Sequence, residues 1–187
     1  KKDLIDIYNV NPNKIAVTHL GYPQKVINLK RIINYPYVLF VGTRWKYKNF
    51  ENLLAAISLS KKIINSFKFV VFGGGKFSNL ELALFKKYGF KKTDIIHIEG
   101  SDYNLYSCFN FASAFVYPSL YEGFGLPILE SFLYKCPVIC SNTSSLPEVA
   151  GNGAEYFDPY LPENIMLALE KVLFSADLRN TLIKNGE

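Results

Sequence analysis

Residues 37–75 read YVLFVGTRWKYKNFENLLAAISLSKKIINSFKFVVFGGG. The opening run, YVLFVGT (37–43), strings β-branched and aromatic residues together without a polar break, as a buried strand does. NFENLLAAISLSKKI (49–63) then spaces Phe50, Leu53, Leu54 and Ile57 along one face of a helix. FKFVVFGGG (67–75) is a second apolar run, closed by glycines. Strand, helix and strand, with near-continuous apolar strands, predict a parallel sheet covered by helices on both faces.

The alternation continues outward from this stretch. Helices are predicted over 80–88, 102–112, 127–134, 162–175 and 177–185, and strands over 94–100, 114–119, 137–141 and 154–158. The fold class that follows is α/β, a Rossmann-like doubly wound parallel sheet. Upstream, KIAVTHLGYP (14–23) reads as a strand and turn, and 24–36 as a linker or surface crossing. No repeat or low-complexity segment interrupts the pattern.

Composition agrees with one globular domain: 187 residues, 49% of them hydrophobic. The net charge of +5 is spread over scattered lysines, without the basic block that nucleic acid would demand. A solvated basic surface explains it more simply than an anionic membrane does. Cys108, Cys136 and Cys140 each sit in an apolar run and read as buried reduced thiols of a cytosolic protein. Cys136 and Cys140 have no histidine or further cysteine nearby, so zinc is not expected. No run is long and apolar enough to span a membrane, and KKDLIDIYNV (1–10) is not a signal peptide. The chain starts without Met, so Lys1 reads as a boundary within a longer protein.

Ligands of doubly wound sheets bind beyond the carboxyl ends of the strands. The segments there are GTRWKYKN (42–49), GGGKFSN (73–79), EGSDYN (99–104), PSLYEGFGLP (118–127) and SNTSSLPE (141–148). GGGKFSN is not a phosphate loop, because Phe77 follows Lys76 where Ser or Thr is needed, and no G-x-G-x-x-G turn follows the first strand. It reads as a turn with positive φ that also allows close approach of a ligand. Arg44, Lys46 and Lys48 place cations where a diphosphate could be neutralised; the plain alternative is a charged helix start with Asn49 as N-cap.

YEGFGLPILE (121–130) carries two acids beside an anion-friendly turn. Pro127 suits the first position of a helix whose buried face is Ile128, Leu129, Phe132 and Leu133. Glu130 lies off that face and has a simple rival explanation, a first-turn acid complementing the helix dipole. Glu122 precedes the helix and has no such explanation. Gly123 and Gly125 let backbone N–H groups approach a ligand. A ligand both anionic and rich in hydroxyls satisfies all of these groups: phosphates on the cations and amides, sugar hydroxyls on the carboxylates. A nucleotide-sugar is such a molecule.

These residues resemble the retaining glycosyltransferases of the large family 4, which have the two-lobed GT-B fold. The resemblance rests on YVLFVGTRWKYKNFENLLAA (37–56) and on PSLYEGFGLPILES (118–131) followed by PVICSNTSSLPEVAG (137–151). It runs in register from about Tyr37 to Phe174, with the family's Glu-x7-Glu met by Glu122 and Glu130. It implies that Glu122 holds donor-sugar hydroxyls and Glu130 the ribose. Arg44 and Lys48 would hold the leaving diphosphate, and Gly123, Phe124, Gly125 and Leu126 would line its path. Glu99 and Gly100 would lie against the base. Thr43 intervenes where many members place the arginine directly after glycine.

The resemblance further implies no cofactor and no metal, with the nucleotide-diphosphate sugar as donor substrate and front-face attack for retention. No D-x-D pair is present, and the two histidines, His19 and His97, read as structural and packed. Residues 1–36 would be the end of an N-terminal lobe and the crossover, and 37–187 the donor lobe of an enzyme about twice as long. Such a lobe transfers sugar poorly alone, because the glycan or lipid-linked acceptor belongs to the other lobe. The implied place is cell-surface polysaccharide or lipopolysaccharide synthesis, in the cytoplasm, with peripheral association at the inner membrane face left open for the full-length protein. The rivals are a glycoside hydrolase, which needs neither cationic loop nor glycine turn, a phosphorylase with pyridoxal, a GT-B-type epimerase and a non-catalytic nucleotide-sugar binding module. GTRWKYKNF hints at mannosyl- or rhamnosyl-type members, but the donor base stays open.

Overall fold

The computed structural model describes residues 2–18, 21, 24–25 and 27–187. Among the described residues six strands form one sheet: β1 (Tyr37–Val41), β2 (Lys68–Phe72), β3 (Ile95–Ile98), β4 (Ala114–Tyr117), β5 (Val138–Ser141) and β6 (Ala154–Phe157). Their order is β3-β2-β1-β4-β5-β6 and every pairing is parallel. This is the Rossmann-like doubly wound sheet that the alternation predicts.

The strands carry apolar residues on both sides because both sides are covered. In β1, Val38 and Phe40 enter one core while Tyr37, Leu39 and Val41 enter the other. β4 divides the same way, Ala114 and Val116 against Phe115 and Tyr117. A short helix, α1 (Lys2–Asp6), precedes the sheet. The first core is closed by α2 (Phe50–Leu59), α3 (Lys61–Ser66), α4 (Asn79–Lys87), α8 (Pro162–Leu173) and α9 (Ala176–Gly186). The second is closed by α5 (Asp102–Phe111), α6 (Leu126–Leu133) and α7 (Leu146–Ala150).

Three local expectations change. The single helix over 49–63 is two helices, because Ser60 is extended, caps α3 by accepting from Ile63 N at 3.2 Å, and donates its hydroxyl to Glu170 of α8. Asn49 stands at the start of α2 in a left-handed conformation and makes no side-chain cap; its amide donates to Pro159 O at 2.6 Å instead. The short helix α7 is additional to the helices that the sequence predicts. Residues 14–18 of the segment read as an upstream strand form none, and His19 lies outside the described residues.

His97 packs as expected, its ring 5.2 Å from that of Phe77 and its Nε2 3.2 Å from Gly73 O. All three cysteines are buried and free. Burial pushes the Cys108 and Cys136 thiols up to about 12.

Candidate functional site

The strand order reverses between β1 and β4, so the chain leaves these neighbours in opposite directions. Their ladder joins Val38–Leu39 to Ala114–Phe115 and stops short of both carboxyl ends. A crevice at such a reversal is where doubly wound sheets bind ligands. Two loops meet over it, 42–49 after β1 and 118–125 after β4, and Leu120 N joins them by donating to Tyr47 O at 2.7 Å.

Lys48 is the centre of the first loop. Residues Lys46–Lys48 form a 3-10 turn, closed by Lys48 N donating to Trp45 O at 2.8 Å, which folds the side chain inward. Its ammonium donates to Glu122 Oε1 at 2.7 Å and to the Tyr117 hydroxyl at 3.1 Å. The two side chains of the pair are only 11% and 13% exposed. The ammonium also lies 4.8 Å from the Tyr117 ring centre. Burial, then the adjoining Glu122 carboxylate, push the Tyr117 phenol up, so it stays protonated.

The turn carrying Glu122 is held by the loop after β5. Glu122 N donates to Ser144 Oγ at 3.0 Å, and Ser145 Oγ donates to Glu122 O at 2.9 Å and Phe124 O at 2.8 Å. Thr143 Oγ1 donates to Leu120 O at 3.1 Å. Nothing local in SNTSSLPE (141–148) marks which carbonyls its hydroxyls reach. Gly125 has φ +114°, and a Cβ there would lie 3.1 Å from Leu146 Cδ2. Gly123 is exposed in open space, Phe124 is half-buried and Leu126, the first residue of α6, is exposed.

Glu130 sits in the second turn of α6, not the first, so the dipole explanation does not cover it. Its carboxylate is half-buried and accepts no hydrogen bond and meets no cation among the described residues. Burial, then the charge of Asp102 at the start of α5, push its carboxyl above the usual range. A partly desolvated acceptor of this kind is stabilised by incoming hydroxyl donors. Glu99 and Gly100 lie just before α5, Glu99 half exposed and 3.6 Å from His97 Nε2.

Arg44 is taken up by other partners. Its Nε pairs with Glu81 of α4, Nη1 donates to Gly73 O at 2.9 Å, and Nη2 contacts the carbonyls of Gly74, Gly75 and Lys76 at 3.2, 2.8 and 3.2 Å. The structure thus joins Lys48 to Glu122 and sets Glu130 near Asp102, while Arg44 is bound to the β2–α4 loop. A cavity of about 850 Å³ opens beside Arg44 and Glu81, and an apolar one of about 550 Å³ lies against β3; neither is lined by Lys48 or Glu122. Among the described residues no cluster of three or more His, Cys, Asp or Glu is placed to hold a metal, and no helix is long and apolar enough to cross a membrane.

The family model described as glycosyl transferases group 1 matches residues 27–187. The chain belongs to the glycosyl transferases group 1 family. Among the relatives of this group 1 chain is the O-antigen chain mannosyltransferase B of Escherichia coli, 30% identical over 172 residues, covering 85% of this chain and 45% of that protein. The O-antigen chain mannosyltransferase RfbU of Salmonella typhimurium is 30% identical over 162 residues, covering 85% and 44%. The chain therefore spans just under half the length of these two relatives. Among solved structures, WaaG, a glycosyltransferase involved in lipopolysaccharide biosynthesis, superposes with a TM-score of 0.82 at 17% identity, covering 99% of this chain and 54% of that one. The C-terminal domain of the group 1 protein LpcC of Francisella tularensis gives 0.70 at 24% identity, covering 81% and 84%. The group 1 chain thus has the Rossmann-like α/β fold seen in GT-B glycosyltransferase lobes.

Proposed function

We propose that this chain is the donor-binding lobe of a glycosyltransferase that moves a sugar from a nucleotide-diphosphate sugar to a glycan or lipid-linked acceptor. Residues 37–187 form that lobe and 1–36 the approach to it. The domain division is supported by the match to an isolated C-terminal domain over 84% of its length. Mannose is the sugar best supported, since two relatives that match most of this chain are named O-antigen mannosyltransferases. The reaction then belongs to surface polysaccharide synthesis, on the cytoplasmic side where nucleotide-sugars are made, with the inner membrane face as the site of a lipid-linked acceptor.

The observation that carries this reading is the nearly buried Lys48–Glu122 pair at the point where the strand order reverses. A lysine ammonium there meets the charge that develops on a leaving diphosphate. Glu122, already hydrogen-bonded on one oxygen, keeps acceptor capacity for sugar hydroxyls. Glu130 accepts from the ribose, with Glu99 and Gly100 beside the base. Gly123, Phe124, Gly125 and Leu126 line the sugar and phosphate path. Transfer is metal-independent and proceeds with retention, the departing phosphate taking the proton of the attacking acceptor hydroxyl on the same face. The lobe alone transfers poorly, because nothing in it orients the acceptor.

Calorimetric titration of the chain with UDP, GDP and dTDP, without metal, tests the reading. One nucleotide binds, and Glu130→Ala weakens it. Equal binding by wild type and Glu130→Ala would remove Glu130 from the site, and turnover by a full-length protein with no nucleotide-sugar would sink the proposal.

A further inference from the structure

The glycine turn after β2 is built for a cation. Gly73, Gly74 and Gly75 have φ of +81°, +74° and +74°, and this left-handed run brings the carbonyls of residues 73–76 round one guanidinium, that of Arg44. An anion site needs converging N–H groups, whereas here the negative ends of four peptide dipoles converge. The Arg44 side chain is only 5% exposed, and all three of its nitrogens are engaged. Phe77 lies under the guanidinium at 5.0 Å. A Cβ on Gly74 would stand 2.6 Å from Arg44 Nη1 and 2.9 Å from Gly42 O, so only glycine lets the two loops close.

Glu81 completes the arrangement by serving both elements. Its Oε1 takes Arg44 Nε, while Oε2 accepts from Ser78 N at 2.7 Å and from the Ser78 hydroxyl at 2.8 Å; with Glu81 N donating to Ser78 Oγ at 3.3 Å, the two residues form the capping box of α4. Burial raises the Glu81 carboxyl, and the hydrogen bonds from Arg44 and Ser78 outweigh it and hold the group below its ordinary value. One side of the clasp is the 42–49 loop, four residues before Lys48.

We propose that Arg44 is a positioning residue and not a ligand of the donor: with Glu81 it fastens the 73–78 loop to the 42–49 loop and so holds Lys48 against Glu122. The proposal rests on the donor-site reading of the Lys48–Glu122 pair, and it adds Glu81 and Gly74 to the residues on which that site depends. Lys48 is then the side-chain cation that meets the diphosphate.

The two roles for Arg44 predict opposite signs. A direct phosphate ligand is partly replaced by lysine, which also binds phosphate, and is released by loss of Glu81. A clasp is not replaced, because an ammonium is a point charge that cannot span carbonyls and a carboxylate at once. The test measures binding of GDP, UDP and dTDP to Arg44→Ala, Arg44→Lys, Glu81→Ala and the Arg44→Ala/Glu81→Ala double variant. Hydrogen exchange of amides 43–49 and 73–78 is followed in parallel, with the β1 and β4 amides reporting that each variant is folded. We expect every single variant to weaken the bound nucleotide by a similar factor, roughly tenfold, and the double variant to be no worse, since coupled residues are not additive. Exchange rises in both loops and not in the strands. Retained binding in Arg44→Lys, with unchanged or tighter binding in Glu81→Ala, would overturn the proposal and make Arg44 a phosphate ligand. If no nucleotide binds the wild-type chain or Lys48→Ala binds as well as wild type, the donor-site reading fails. The clasp is then judged by exchange alone, and unchanged exchange at 43–49 in Glu81→Ala sinks it.

Discussion

Lys48 and Glu122, 74 residues apart in the chain, meet at 2.7 Å over the crevice between β1 and β4. Each arrives on a different loop, and each loop follows one of the two strands at which the sheet reverses its order. The pair therefore ties the halves of the sheet together at the place where a ligand would enter.

Removing one partner leaves the other charged and nearly buried. Lys48→Ala should cost about 3–5 kcal/mol of stability, and Lys48→Met/Glu122→Gln should recover part of that loss, because no net charge stays behind. Urea unfolding of both variants measures it, and a Lys48→Ala loss below about 0.5 kcal/mol would place the pair among ordinary surface ion pairs.

Glu130 gives a pH signature. Its carboxyl is raised in the folded chain by burial and by Asp102, so the folded state holds that proton to higher pH than the unfolded state does. Stability from this group is present at low pH and falls as pH rises from the unfolded toward the folded value, leaving a cost at neutral pH. Glu130→Gln should therefore be more stable than wild type at pH 7, with the difference vanishing in acid, and should bind nucleotide more weakly. A variant less stable at pH 7 would mean that Glu130 has a partner in the fold.

The two glycines of the Glu122 turn should respond differently. Gly125→Ala forces a side chain to φ +114° and against Leu146, which costs about 1–3 kcal/mol. Gly123 has open space and no left-handed φ, so Gly123→Ala should stay within about 0.5 kcal/mol of wild type. Thermal unfolding of the two variants separates them.

Ser145 holds the carbonyls of both Glu122 and Phe124. Ser145→Ala should cost about 0.5–1.5 kcal/mol, the net value of one O–H donor shared between two carbonyls, and loosen the turn. Nucleotide titration beside the unfolding curve shows whether affinity falls with it; unchanged affinity would detach the turn from the site.

The three cysteines are buried and unpaired, with Cys108 and Cys136 pushed up to about 12. The thiolate is the reactive form, so all three should resist a thiol reagent at pH 8 and react together in denaturant. A fast-reacting thiol in the native chain would contradict the burial.

Much of this molecule was legible in residues 37–75. Apolar strands and a 3.6-residue helical period repeat along the chain, and each strand predicted from Tyr37 onward is present within a few residues of its ends, whereas residues 14–18 of the one predicted upstream form none. The spacing of Glu122 and Glu130 around two glycines likewise marked the turn at the carboxyl end of β4. Where one side chain serves two elements, the pattern said less. Ser60 belongs to an apparently continuous helical run, and Glu170 on α8 takes its hydroxyl where it ends one helix and caps the next. Asn49 has the chemistry of a cap, and Pro159 O takes its amide.

The sequence by itself determined the layout: a parallel sheet with two covered faces, and ligand chemistry in the loops after its strands. Periodicity carries that information because it is written residue by residue along each element. Only the tertiary structure decided which cation faces Glu122. Arg44 and Lys48 are four residues apart with the same charge, and nothing local separates them. The carbonyls of Gly73–Lys76 and the carboxylate of Glu81 take Arg44 away, and the 3-10 turn sends Lys48 inward to Tyr117 and Glu122. Those acceptors lie about 30 to 70 residues away along the chain, and they converge only when the sheet has set its strand order.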